Sequence, residues 1–146
     1  MDKPANKVLY LNQTYLDPGE KYLAREFWGG QHYWILQGQI TLPELPPHGV
    51  CLLAIRPLRT HRPIYAGSNL HISQGLEVSE WKSDETSLQF RLERPGQADG
   101  MIDLLLPKPP RMAACDNDDL RWQTLEENYY QLSVKIKESA WISIHW

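Results

Sequence analysis

The chain has 146 residues and a net charge of −3, from 15 Lys and Arg against 18 Asp and Glu. That length favours a single domain with a core of its own, and the interspersed charges, with no basic block, argue against a nucleic-acid partner. Six Trp and seven Tyr accompany two Phe, with eleven Pro and nine Gly, a mixture that suits short pleated elements broken by turns.

The opening MDKPANK is polar and lacks the apolar stretch of a secretory signal. KVLYLN (7–12) is the first expected strand. DPG (17–19) is a turn, because Pro pre-sets φ and Gly accepts positive φ. KYLAREFW (21–28) and HYWILQGQITL (32–42) are the next strands, separated by GG (29–30), and PELPPHG (43–49) is a loop. GVCLLAIRP (49–57) is apolar almost throughout, which predicts a strand buried on both faces with Cys51 as a buried thiol.

NLHIS (69–73) puts Leu70 and Ile72 on one strand face and His71 on the other, beside Asn69 and Ser73. LEVSEWKS (76–83) is a strand ending in an SDE turn (83–85). LQFRLER (88–94) alternates Leu88, Phe90 and Leu92 against Gln89, Arg91 and Glu93. PGQADG (95–100) is a turn leading to GMIDLLLP (100–107). Residues 107–128 fit least well. They are expected as a long loop with one short element, either a helical turn in DDLRWQTLEEN or a strand in LRWQTLE. YQLSVKIKE (130–138) and AWISIHW (140–146) both alternate, and a tight turn at Glu138 and Ser139 would make them a closing hairpin.

Strands spaced near ten residues predict an all-β fold: an antiparallel β-sandwich of about 8–10 short strands, Greek-key type, with little helix. One domain over 1–146 is expected. The apolar runs fall far short of the ~18 residues of a membrane helix, so no membrane partner is expected. Cys51 and Cys115 make no disulfide framework, and a soluble, cytoplasmic setting fits this usage.

Chemistry is sparse. His32, His48, His61, His71 and His145 show no His-x-His or His-x-x-x-His spacing, so there is no local metal clip. DNDD (116–119) reads as a solvated loop. No Gly-x-Ser-x-Gly elbow occurs, and spacing alone identifies no carboxylate pair for glycoside hydrolysis. No catalytic residue, cofactor or metal is therefore expected. A cupin- or lyase-type metal enzyme is the rival reading, and it needs three ligands converging within ~2.2 Å of one point. Flat indole rings stack on pyranose faces, which makes Trp34, Trp81, Trp122 and Trp141 candidate carbohydrate contacts. Trp141 leads, because it shares a strand face with Ser143 and His145.

Several motifs occur in order: EFWGG (26–30), GQITLPELPPHGVCLLAIRPL (38–58) and HRPIYAGSNLHISQGLEVSEW (61–81). The series resembles the C-terminal β-sandwich domain of α-galactosidase-like (melibiase-type) glycoside hydrolases. The matching residues are Phe27 and Trp28, Pro47 and His48, Arg56 and Pro57, then Pro63, Gly67, Ser68, His71, Ile72, Gln74 and Gly75. The likeness covers about residues 7 to 82, and Glu26 stands where the family strand begins with Asp. The resemblance implies a non-catalytic accessory domain, since the family's catalytic carboxylates belong to an upstream (β/α)₈ barrel. The implied partner is that catalytic barrel. A carbohydrate bound by a stand-alone module is the alternative. It also implies that His71 is structural, lying under a loop and satisfying buried backbone groups, with Gly67 and Gly75 at tight strand ends.

Overall fold

The computed structural model describes residues 5–146, leaving aside the side chains of residues 5–6 and 43–44. The polar opening seen in the sequence thus lies partly outside the described residues. The fold is all-β and sandwich-like: strands make up 59% and helix 2%, and every strand pairing is antiparallel. Among the described residues no helix is long and apolar enough to cross a membrane. Contacts gather the chain into two compact units, Met1–Leu58 and Arg59–Trp146.

The first unit contains β1 (Ala5–Tyr10), β2 (Tyr22–Glu26), β3 (His32–Ile35), β4 (Gln39–Leu45) and β5 (Leu53–Pro57), with one 3-10 turn at Leu11–Gln13. β1 pairs β4, and a second sheet has the order β3-β2-β5. Tyr22, Ala24 and Ile35 from the second sheet meet Leu11, Ile40 and Leu42 in one apolar cluster. The expected strand over 32–42 breaks at Gly38, whose φ of 73° lies in the left-handed region that favours glycine. In this unit the doubly buried strand is β2, all five of whose residues are buried. The expectation for 49–57 fails at its start: Val50 is exposed, Cys51 is half-buried, and β5 begins only at Leu53.

The second unit contains β6 (Ile64–Ser68), β7 (Val78–Ser83), β8 (Ser87–Leu105), β9 (Met112–Cys115), β10 (Asp118–Asp119), β11 (Trp122–Glu126) and β12 (Tyr129–His145). These form one seven-stranded sheet around the long β8–β12 pair. The expected turn at 95–100 and the expected hairpin at Glu138 and Ser139 are both absent. Each pair of predicted strands is one strand with an irregularity, where Lys137 pairs Gln97 but Ser139 pairs Glu93. Positive φ at Glu138 (64°) and Gly96 (77°) accommodates it. Burial explains the continuity. Ile136 and Ala140 fall on the same even-numbered face, so the alternating pattern survives the bulge. Leu88, Phe90, Leu92, Ile102 and Leu104 of β8 join Leu132, Val134, Ile136, Ile142 and Ile144 of β12 in a single core. The segment 107–128 resolves into β9, β10 and β11, so LRWQTLE is strand rather than helix. DNDD supplies a two-residue hairpin turn at Asp116 and Asn117, with Asp116 at a φ of 54°.

Candidate functional site

The segment PIYAGSNLHISQGL does not place a strand over 69–73. Its strand is β6, and residues 69–77 form a loop between β6 and β7. Local side chains explain the change, because hydroxyl and imidazole groups offer the backbone partners that compete with a sheet ladder. Ser73 Oγ accepts from the N–H of Leu76 (3.0 Å) and of Gly75 (3.3 Å). His71 Nδ1 accepts from the Ser73 N–H at 3.0 Å and lies 2.7 Å from Ser73 Oγ. His71 is half-buried at the loop rim, not under a loop; the described bonds of its ring are these two to Ser73, and its carbonyl accepts from the Gln74 N–H at 2.9 Å.

The loop is held down at both ends. At its start, the Asn69 N–H donates to the Met101 carbonyl (3.2 Å), and the Met101 N–H donates to Asn69 Oδ1 (2.8 Å). Leu70 inserts into the core beside Gly100, where an added Cβ would stand 2.4 Å from Leu70 Cδ2 and 2.7 Å from Asn69 Oδ1. At its end, the Glu77 carbonyl accepts from the Glu93 N–H at 2.8 Å. The Glu77 side chain is 2% exposed. Its Oε1 accepts from the Tyr65 hydroxyl (2.8 Å) and from Ser68 Oγ, which in turn accepts from the Leu70 N–H (3.1 Å). Glu77 Oε2 is buried with no hydrogen-bond partner among the described residues. This clamp fixes a loop whose outward side carries Ile72 at 54% exposure and Leu76 at 78%.

A second feature is a shallow groove on the same unit. Ser133 lines three neighbouring cavities of about 370, 130 and 300 Å³, and Lys135, Met101 and Arg121 each line two of them. Trp122, Gln123 and Gln131 line the smallest. Behind it, buried Asp103 Oδ2 accepts from the Tyr129 hydroxyl (2.7 Å), and its Oδ1 accepts from Gln131 Nε2 (3.2 Å).

The four tryptophans of the sequence analysis are not gathered in one place within the second unit. Trp81 is half-buried and seals the core, 5.0 Å from the Phe90 ring and 6.4 Å from that of Tyr65. Trp122 and Trp141 are each 37% exposed, but they attach to opposite halves of β12: Trp122 is opposite Leu132, and Trp141 opposite Arg91 on β8. Trp34 belongs to the first unit, half-buried, with its ring edge-to-face to His32 at 6.0 Å. Exposed Trp28 in the β2–β3 turn was missed, as were Ile72 and Leu76. Only the apolar character of these residues, set among turn formers, signalled them.

The titratable groups add little nucleophilic character. Burial first, and then the nearby Glu26 carboxylate, push the Cys51 thiol up from its ordinary range, and Tyr33 beside them is raised by burial, Cys51 and Glu26. Burial and then Asp116 push the Cys115 thiol up, partly offset by its bond to the Lys135 carbonyl. Both cysteines are free, and a raised pKa holds each in the less reactive thiol form. Among the described residues no three His, Cys, Asp or Glu are gathered as metal ligands. Comparison with family models, curated proteins and solved structures finds no match to this chain.

Proposed function

We propose that this chain is a non-catalytic accessory β-domain of a sugar-processing enzyme, and that it docks on a catalytic (β/α)₈ barrel. The observation that carries this reading is the clamped loop over 69–77. A buried carboxylate, a tyrosine and two backbone anchors hold the loop in one shape while it keeps Ile72 and Leu76 in water. Preorganised apolar side chains are what a docking surface needs, since their ordering entropy is already spent before a partner arrives. The same loop contains His71, Ile72, Gln74 and Gly75 of the ordered motifs that resemble the accessory domain of α-galactosidase-like hydrolases, and Gly67 and Ser68 end the strand that leads into it. The test is co-elution in size-exclusion chromatography with the barrel of such a hydrolase, expressed without its own C-terminal domain. A stoichiometric complex supports docking, and separate elution overturns it.

The groove favours a second reading, a carbohydrate-binding module. Trp122 offers a flat ring, and Gln123, Gln131 and Ser133 offer the amide and hydroxyl groups that sugar hydroxyls bond. Titration with soluble oligosaccharides, followed by Trp fluorescence, tests it. Saturable quenching that Gln123→Ala abolishes favours the module, and a flat titration removes it.

A further inference from the structure

β11 is an edge strand with an open side. The Ser133 N–H donates to the Arg121 carbonyl at 3.2 Å, and Arg121 stands opposite Ser133 when the β11–β12 register is extended by one residue. Bonded and non-bonded pairs alternate along an antiparallel ladder. Gln123 therefore bonds inward to Gln131, while Trp122 and Thr124 turn their N–H and C=O groups away from β12. Among the described residues no strand pairs with that outer side. All five residues of β11 are exposed, including Trp122 at 37% and Leu125 at 39%. Natural edges are usually guarded by Lys, Pro or an inward charge, and WQTLE has no Lys or Pro.

The charges flanking this edge say what fits it. Arg121 precedes the strand and Glu127 follows it, both exposed and neither in an ion pair among the described residues. Antiparallel alignment of two β11 strands with Gln123 opposite Gln123 sets each Arg121 opposite the other copy's Leu125 and diagonal to its Glu127, a separation that long side chains span. The same alignment sets Trp122 of one copy beside Thr124 of the other, covering the indole. We propose that β11 is the contact of a two-fold homodimer, in which two copies of this chain join their sheets edge to edge through antiparallel β11 strands. The irregularity between Thr124 and Glu126 ends the ladder early, so the contact is short and the dimer dissociates on dilution.

Sedimentation velocity of the full chain over a concentration series tests this independently of any barrel. The wild type is expected to shift towards twice the chain mass as concentration rises. Thr124→Pro removes only an outward N–H, which an edge strand tolerates, and it should stay monomeric with an unchanged circular dichroism spectrum. Arg121→Glu and Glu127→Arg should each weaken the dimer, and the two together should restore it. A wild type that remains monomeric at every concentration overturns the proposal. So does a Thr124→Pro variant that dimerises like wild type, or a double variant as weak as the singles.

Discussion

The Tyr65 hydroxyl donates to Glu77 Oε1 over 2.8 Å, joining β6 to the far end of the loop that β6 leads into. Both groups are buried, so the bond forms where water does not compete. Tyr65→Phe should cost about 1–3 kcal/mol in urea unfolding, the range for removing one partner of a buried hydrogen bond. Glu77→Ala should cost more, because it leaves the Tyr65 and Ser68 hydroxyls without this acceptor. Amide exchange over residues 69–77 should accelerate in both variants. Unchanged exchange would mean that the carboxylate does not hold the loop.

Gly100→Ala tests the other anchor. The added methyl meets Leu70 and Asn69 at distances no real contact tolerates, so Leu70 must leave its place in the core. Overpacking of this kind costs about 1–3 kcal/mol. Thermal unfolding should show the loss, together with faster exchange at the Met101 N–H.

His71→Ala should do little to stability. The described bonds of the half-buried ring are to Ser73 within its own loop, so the cost should stay below about 1 kcal/mol. A larger loss in thermal unfolding would restore the buried, structural histidine expected from the sequence.

Asp84 shapes the turn into β8. Its Oδ1 accepts from the N–H groups of Thr86 and Ser87, each at 2.8 Å, and the Thr86 bond leads in lowering the carboxyl below its usual value. A folded-state pKa below the unfolded one stabilises the fold above the unfolded value, and this stability fades as pH falls through the folded value. Asp84→Asn should therefore flatten the acid limb of the stability curve and leave its neutral-to-alkaline shape unchanged. A variant with the wild-type acid slope would contradict this.

The period-2 alternation made the strands of the second unit legible, because the even-numbered face of β8 is buried over 88–92 and again at 98, 102 and 104, and that of β12 is buried on either side of Glu138. Continuity across residue 138 was not legible. Glu138 and Ser139 look like a turn, and only the paired length of β8 shows that the chain runs on. In NLHIS the alternation misled, since Ser73 and His71 bond the local backbone and leave Ile72 outside. The long-range tie from Glu77 to Tyr65 has no sequence period, so the clamp that shapes the candidate site was invisible before the fold. Trp81 had the same pattern as an exposed indole, yet it closes the core against Phe90.

The most direct measurement is calorimetric titration of the chain into an α-galactosidase-like barrel lacking its C-terminal domain, with wild type compared with the Ile72→Glu, Leu76→Glu double variant. Both side chains are exposed, so the substitutions spare the core, and the variant should unfold like wild type. Docking through the loop predicts a saturable wild-type isotherm, lost or weakened at least about tenfold in the variant, which corresponds to ~1.4 kcal/mol. Equal binding by both proteins, or none by the wild type, would contradict it.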